Sequence, residues 1–255
     1  MPYINNVSNH FDESPEDLMS VFSKIFGTNV PVSLEGSTDW HCHILPGVDD
    51  GVRTMEESLS ILNQYERAGV KTVWLTPHIM EDVPNTTAKL RERFDELRQA
   101  YKGSIELHLA AENMLDNLFA ERLEANDLLP IGENGDMLLV ETSYFNAPLN
   151  MESVLQEIMR KGYFPLIAHP ERYFYITDMQ TYSRWKDLGA RLQLNLLSLG
   201  GHYGADARDK AIRLLSDGMY DCAGSDLHRS QQTEMLNKLT LPKKHYPELQ
   251  KLRKQ

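Results

Sequence analysis

Histidines and carboxylates recur at the ends of short β-type runs in this chain, where parallel strands could gather them into one metal-binding pocket. His41 and His43 close the run Thr38–His43, and His78 follows Lys71–Thr76 in Thr76-Pro77-His78. Glu112 follows Ile105–Ala111, Glu141 lies in Met137–Thr142, and His169 follows Phe164–Ala168. Arg191–Leu197 contributes none, but Asp226 and His228 follow Tyr220–Gly224. Asp50, in the loop Pro46-Gly47-Val48-Asp49-Asp50-Gly51, could join them. Any lone histidine near a strand end is more often a packing residue than a ligand. The pair His41-x-His43 says more, because alternation puts both imidazoles on one strand face and Cys42 on the other. Recurrence at strand after strand is the stronger signal.

Imidazoles and carboxylates without a thiolate suit Mn²⁺, Fe²⁺ or Zn²⁺, and the donors exceed what a single ion needs, so two or three divalent ions are expected. Such clusters polarise water and hold a phosphoryl group, which makes phosphoester hydrolysis the first expectation. Arg172, in His169-Pro170-Glu171-Arg172-Tyr173, falls at the same rim and could bind non-bridging phosphate oxygens; its bland alternative is an ion pair with Glu171 or another acid. Arg172, Asp226 and His228 are the candidate catalytic residues. Cys222 and Arg229 superficially resemble a cysteine-phosphatase loop, but the spacing is one residue too long and Asp226 intervenes. Cys222 is expected to be an inert, buried thiol.

The elements that must position these groups alternate in β and α character from Thr38 onward, the pattern of parallel strands with crossover helices. Thr54 with Glu57 reads as a helix start and Gly69 as its stop. Leu90, Phe94, Leu97 and Tyr101 mark a second helix, Val154 to Met159 a third, and Asp206–Leu215 another before Gly218. So many β/α units favour an α/β barrel over an open sheet. Residues 38–255 are read as the barrel and 1–37 as an N-terminal extension, in which Ser14-Pro15 and Leu18, Val21, Phe22 and Ile25 predict a short amphipathic helix.

A length of 255 residues suits one sizeable core, and no apolar run is long enough to cross a bilayer. The net charge of −11 argues against nucleic-acid or anionic-membrane partners. Met1 to Val7 has neither a basic start nor an apolar stretch resembling a signal peptide, so a cytoplasmic protein is expected, and two cysteines outside any CxxC pair predict reduced thiols.

The string Asp39-Trp40-His41-Cys42-His43-Ile44-Leu45-Pro46-Gly47-Val48-Asp49-Asp50-Gly51, with Thr76-Pro77-His78, His169-Pro170-Glu171-Arg172-Tyr173 and Ser225-Asp226-Leu227-His228, resembles the polymerase and histidinol phosphatase (PHP) superfamily. Within it, the chain resembles the bacterial CpsB/CapC (YwqE-like) tyrosine phosphatases from about Thr38 to Arg229, including the loop Leu199-Gly200-Gly201-His202-Tyr203-Gly204. The resemblance implies a distorted (β/α)7 barrel of PHP type and a trinuclear centre. It assigns His41, His43, Glu112 and Asp226 to one ion, Glu112 with Glu141 and His169 to a second, and Asp50, His78 and His228 to a third. It also implies a phosphotyrosine-bearing substrate, the tail of a bacterial tyrosine kinase controlling capsule or exopolysaccharide synthesis. Ile79 stands where members often carry a further histidine, so position 79 is not expected to hold metal. A small-molecule phosphatase of histidinol-phosphate type and a non-catalytic kinase-binding module are the alternatives.

Overall fold

The computed structural model describes residues 28–253; the helix expected over Ser14–Ile25 lies outside them. The short strands β1 (Asn29–Pro31) and β2 (Thr38–Cys42) open the described chain, followed by β3 (Thr72–Leu75) and β4 (His78–Ile79). Next come β5 (Glu106–Leu109), β6 (Glu112–Met114), β7 (Met137–Glu141), β8 (Phe164–Ala168), β9 (Arg191–Asn195), β10 (Cys222–Gly224) and β11 (Thr240–Pro242). One parallel sheet of six strands runs β10-β9-β8-β7-β6-β4 and a second of three runs β2-β3-β5. β1 pairs antiparallel with β11. This ribbon carries part of the expected extension against the far end of the chain, and Val32 and Leu34 beyond β1 are buried in the main core.

The result is a mixed α/β fold whose parallel sheet curls into a half-barrel. The amide of Asp226 donates to the His41 carbonyl at 2.7 Å, and that of His43 to the Leu227 carbonyl at 2.9 Å, bringing β2 beside the segment after β10. Just beyond each of the second and third β-type runs, Lys71–Thr76 and Ile105–Ala111, a further short strand follows. Pro77 has no N–H, so the β3 ladder stops there, while Thr76 Oγ1 accepts from the Cys42 amide at 3.2 Å. Beside it the Ala111 amide turns to Leu129, and the Glu112 amide donates to Pro77 at 3.1 Å. Strand resumes on each chain at a candidate ligand, His78 and Glu112, which face each other across β4 and β6. The sixth run is shorter than expected: Asn195 Oδ1 accepts from the Leu197 amide at 2.9 Å and starts the helix Leu196–Leu199.

The helices follow their local signals. Thr54 caps Met55–Ala68 by accepting from the Glu57 amide, and Gly69 ends it in the left-handed region at φ 86°. Leu90, Phe94 and Leu97 are the buried face of Thr87–Ala100; Met151, Leu155 and Ile158 are that of Met151–Arg160. Helices Asn117–Ala125, Gln180–Asp187, Gln231–Asn237 and Tyr246–Arg253 are not among those expected from the sequence. None among the described residues is long and apolar enough to cross a membrane.

Two glycines let neighbouring backbone press on the His41-Cys42-His43 strand. A Cβ at Gly224 would stand 2.4 Å from His41 Cβ and 2.7 Å from its amide nitrogen; one at Gly51 would stand 2.1 Å from the His43 carbonyl oxygen. Gly224→Ala is therefore expected to cost about 1–3 kcal/mol and to shift His41. Urea unfolding and metal content of the purified variant check this; wild-type values for both contradict so tight a packing.

Candidate metal centre

The fold brings all the expected donors to one end of the parallel strands, and most are withdrawn from water. His41, His43 and Glu112 are fully buried, Glu141, His169 and Asp226 nearly so and His78 largely so, while His228 is half-buried and Asp50 is exposed. His41 Nε2 and His43 Nε2 lie 3.0 Å apart. Each is 3.2 Å from Glu112 Oε2, and they stand 3.5 and 3.4 Å from Asp226 Oδ1. Donors about 2.1 Å from a shared cation are separated by roughly 3.0 Å at octahedral corners and about 3.4 Å at tetrahedral ones. The observed separations are those of a coordination shell.

The remaining donors form two further groups around this one. His43, Asp50, His78 and His228 converge in one, His78, Glu112 and Glu141 in the other. His78 Nδ1 is 3.1 Å from both Glu112 Oε2 and Glu141 Oε1. His169 Nε2 is 3.0 Å from Glu112 Oε1 and 3.9 Å from Glu141 Oε2. His78 thus stands between two groups, and His169 approaches the second from the Glu112 side. His78 Nδ1, Glu112 Oε2 and Glu141 Oε1 are buried without a hydrogen-bond partner, although their neighbours lie close. Buried polar atoms are normally paired, so orphans aimed at a common space fit a cation.

Hydrogen bonds behind the donors set the imidazole tautomers. Gln193 Oε1 accepts from the His169 amide and lies 3.1 Å from His41 Nδ1, which fixes it as an acceptor. Asp49 Oδ2 takes His43 Nδ1 at 2.9 Å, and the Asp226 carbonyl takes His228 Nδ1 at 2.9 Å. In each case Nδ1 carries the proton and Nε2 presents a lone pair to the cluster. Two such lone pairs 3.0 Å apart need a positive charge between them. Burial alone would lower His41, but Glu112 and Asp226 raise it to about 8. Burial likewise favours protonated Glu112, yet the imidazoles of His41 and His78 hold it well below the usual carboxylate range.

Backbone strain accompanies this order. Among the described residues, the non-glycine positions with positive φ are Asn126, at a helix end, and two candidate ligands, His169 at 32° and Asp226 at 52°. The turn at His169 leads into Pro170–Arg172 and carries Arg172 to the cluster. Its Nη1 donates to Asp226 Oδ2, and its guanidinium carbon lies 4.6 Å from the Tyr144 ring centre and 3.9 Å from that of Tyr203. Glu171 accepts instead from the Asn195 amide and the Tyr220 hydroxyl, so the pair Arg172–Glu171 does not form. Cys42 and Cys222 are free, and burial pushes both thiols up, leaving them protonated. Ile79 is a buried core residue.

Sequence reading missed the supporting partners. Asp49 sits beside Asp50 in the quoted loop; Gln193 and Asn195 alternate with Leu192 and Leu194 as they would on a solvent-facing strand side, so their burial gave no sequence signal. Arg229 gives no sequence signal, but its Nη1 donates to the carbonyls of Gly51 and His228, joining two ligand loops.

Residues 37–248 match the family model for capsular polysaccharide synthesis, CpsB/CapC. The chain belongs to the CpsB/CapC family. It is 30% identical to the tyrosine-protein phosphatase YwqE of Bacillus subtilis over 195 residues, 74% of this chain and 76% of the relative. To the putative tyrosine-protein phosphatase CapC of Staphylococcus aureus it is 27% identical over the same shares. Among solved structures, the study of YwqE from B. subtilis and CpsB from Streptococcus pneumoniae, described as unique metal-dependent tyrosine phosphatases, matches with a TM-score of 0.70 at 26% identity, covering 84% of this chain and 85% of the other. An amidohydrolase from Mycoplasma synoviae matches with a TM-score of 0.53 at 12% identity, covering 86% and 83%, and shares the fold alone.

Asp49 offers a direct check on this arrangement, since it also accepts from the amides of Gly51 and His78 at 2.9 and 3.0 Å. Replacing Asp49 by alanine is expected to weaken divalent-metal affinity about 10–100-fold, because His43 and His78 lose their common anchor. Metal titration by calorimetry measures it, and an unchanged affinity rejects the role.

Proposed function

We propose that this protein is a metal-dependent protein-tyrosine phosphatase built on a distorted (β/α)7 barrel of PHP type. The observation that carries the reading is the shell of donors 3.0–3.5 Å apart around His41 and His43 with Arg172 bonded to its edge. Membership of a family whose relatives bear the name tyrosine-protein phosphatase supports it. The barrel is supported by the passage of the chain from β3 to β4 and from β5 to β6, each of which links the two sheets, and by the hydrogen bonds between β2 and the segment after β10.

His41, His43, Asp50, His78, Glu112, Glu141, His169, Asp226 and His228 would hold two or three divalent ions, with Mn²⁺ favoured over Fe²⁺ or Zn²⁺. Such ions supply Lewis acidity toward phosphoryl oxygens and lower the pKa of water. The chain's own residues do the positioning. Arg172 is steered between the tyrosine rings and spends a donor on Asp226, which leaves the rest of its N–H fork for non-bridging phosphate oxygens. Asp226 is placed by Asn195 as well, whose Nδ2 donates to Oδ2 at 3.0 Å. Burial excludes water from the inner donors and strengthens their pull on the phosphoryl group. The tyrosyl leaving group, of pKa about 10, departs with less protonation than an alkoxide would need.

The family's description favours a role in capsule or exopolysaccharide synthesis and its relatives' names favour a phosphotyrosine protein as substrate, which we take to be the tyrosine-rich tail of a bacterial kinase. The buried free thiols suit the reducing cytoplasm.

Exhaustive chelation is expected to abolish turnover of a phosphotyrosine peptide and lower the melting temperature, with Mn²⁺ restoring both. Parallel assays on histidinol phosphate should show far less turnover, and a preference for that substrate would reverse the assignment. Arg172→Ala is expected to lose about 100-fold in kcat/KM at near-normal metal content, while Cys222→Ser keeps most activity. An inactive but fully metallated Cys222→Ser enzyme would falsify the metal-centred reading.

A further inference from the structure

Large apolar side chains stand in solvent beside the cluster: Phe145 is 71% exposed, Leu149 fully and Phe174 50%. They belong to two loops that also feed the site. Tyr144 packs toward His169 with ring centres 5.8 Å apart, and Tyr173 meets the same imidazole edge-on at 6.0 Å. The next residue in each loop faces outward. The Phe174 amide donates to the Tyr144 carbonyl at 2.8 Å, fastening the loops together, and the Phe145 and Phe174 rings stack 5.4 Å apart, 19° from parallel. Beyond Phe145 lies an open groove of about 480 Å³, walled by Pro148, Leu149, Met151, Tyr175, Ile176 and Trp185.

Neither ring helps close the core, so the fold gives no reason for this pair. Its position does. The rim begins where Tyr144 touches Arg172, the residue proposed to hold phosphate, and the same loops continue into the groove, where apolar side chains stand beside the polar Asn150, Glu152, Ser153 and Thr181. A phosphate seated among such buried donors leaves the tyrosyl backbone at the mouth, where neighbouring residues of the same polypeptide meet this surface. A small phosphomonoester has nothing to place there.

We propose that Phe145, Phe174 and the groove beyond them bind the polypeptide flanking the phosphotyrosine and select apolar side chains next to it. This rests on the phosphatase reading above. Stacked, pre-ordered rings bind such side chains at little entropic cost.

The test uses the metal-loaded full chain, short phosphotyrosine peptides with leucine or serine beside the phosphotyrosine, and p-nitrophenyl phosphate. Affinity is read separately by fluorescence anisotropy, with the leucine peptide carrying a non-hydrolysable phosphonate. Wild-type enzyme should favour the leucine peptide. Phe145→Ala/Phe174→Ala should raise KM for that peptide and weaken the phosphonate peptide by about tenfold each, with p-nitrophenyl phosphate kinetics and metal content unchanged. Phe145→Leu/Phe174→Leu should recover most of the affinity. Equal losses on the small substrate, unchanged peptide affinity, or a change in oligomeric state that makes the patch a contact between two copies would each overturn the proposal. Tight, rim-dependent binding of the phosphonate peptide without hydrolysis of any phosphotyrosine peptide would instead sink the phosphatase reading and leave the rim standing.

Discussion

Everything at the functional end of this protein answers to the crowding of lone pairs and carboxylate oxygens around His41 Nε2 and His43 Nε2, 3.0 Å apart and fully buried. Unpaired buried charge is costly, and breaking such a set by removing one partner costs more than the set contributes. A cation resolves the conflict; the same crowding raises His41 and His43 and lowers Glu112 and Asp226, because each carboxylate favours charged imidazole and each imidazole favours charged carboxylate. Metal binding and proton release are therefore linked, and the site couples to the stability of the whole fold.

The surrounding structure makes that crowding permanent. Asp49, Gln193 and the Asp226 carbonyl occupy the outer imidazole nitrogens, so the inner ones cannot turn away. Asp39 performs the same service for the backbone: its carboxylate accepts from the Ser225 amide and hydroxyl and from the Tyr65 hydroxyl, anchoring the turn before Asp226. Strain at His169 and Asp226 is tolerated because these bonds over-determine both turns. The glycines at 51 and 224 serve the same end by allowing backbone to pack against the ligand strand with no side chain between.

A buried cluster of this kind is general chemistry, and the relationship to an amidohydrolase at 12% identity shows that the fold by itself selects no reaction. Selectivity has to come from what surrounds the cluster. Arg172, held between Tyr144 and Tyr203, is the anion-binding element proposed above, and the exposed phenylalanine rim is the surface proposed to meet a protein substrate.

The donors themselves were legible in the sequence because strand ends are punctuated locally, by alternation, by Pro77 and by Gly224, and because parallel strands share a direction. Helix caps at Thr54 and Gly69 were legible for the same reason. The resumption of strand at His78 and Glu112 was not, since it depends on hydrogen bonds between neighbouring segments and with Leu129. Nor could spacing place His78 between two donor groups or pair Arg172 with Asp226 rather than Glu171; those choices depend on distances across the sheet. Sequence determined which residues could bind metal, because chemistry belongs to residue type and local periodicity. Tertiary structure decided which nitrogen faces inward, what holds it there and what stands at the rim, because those depend on contacts between segments far apart in the chain.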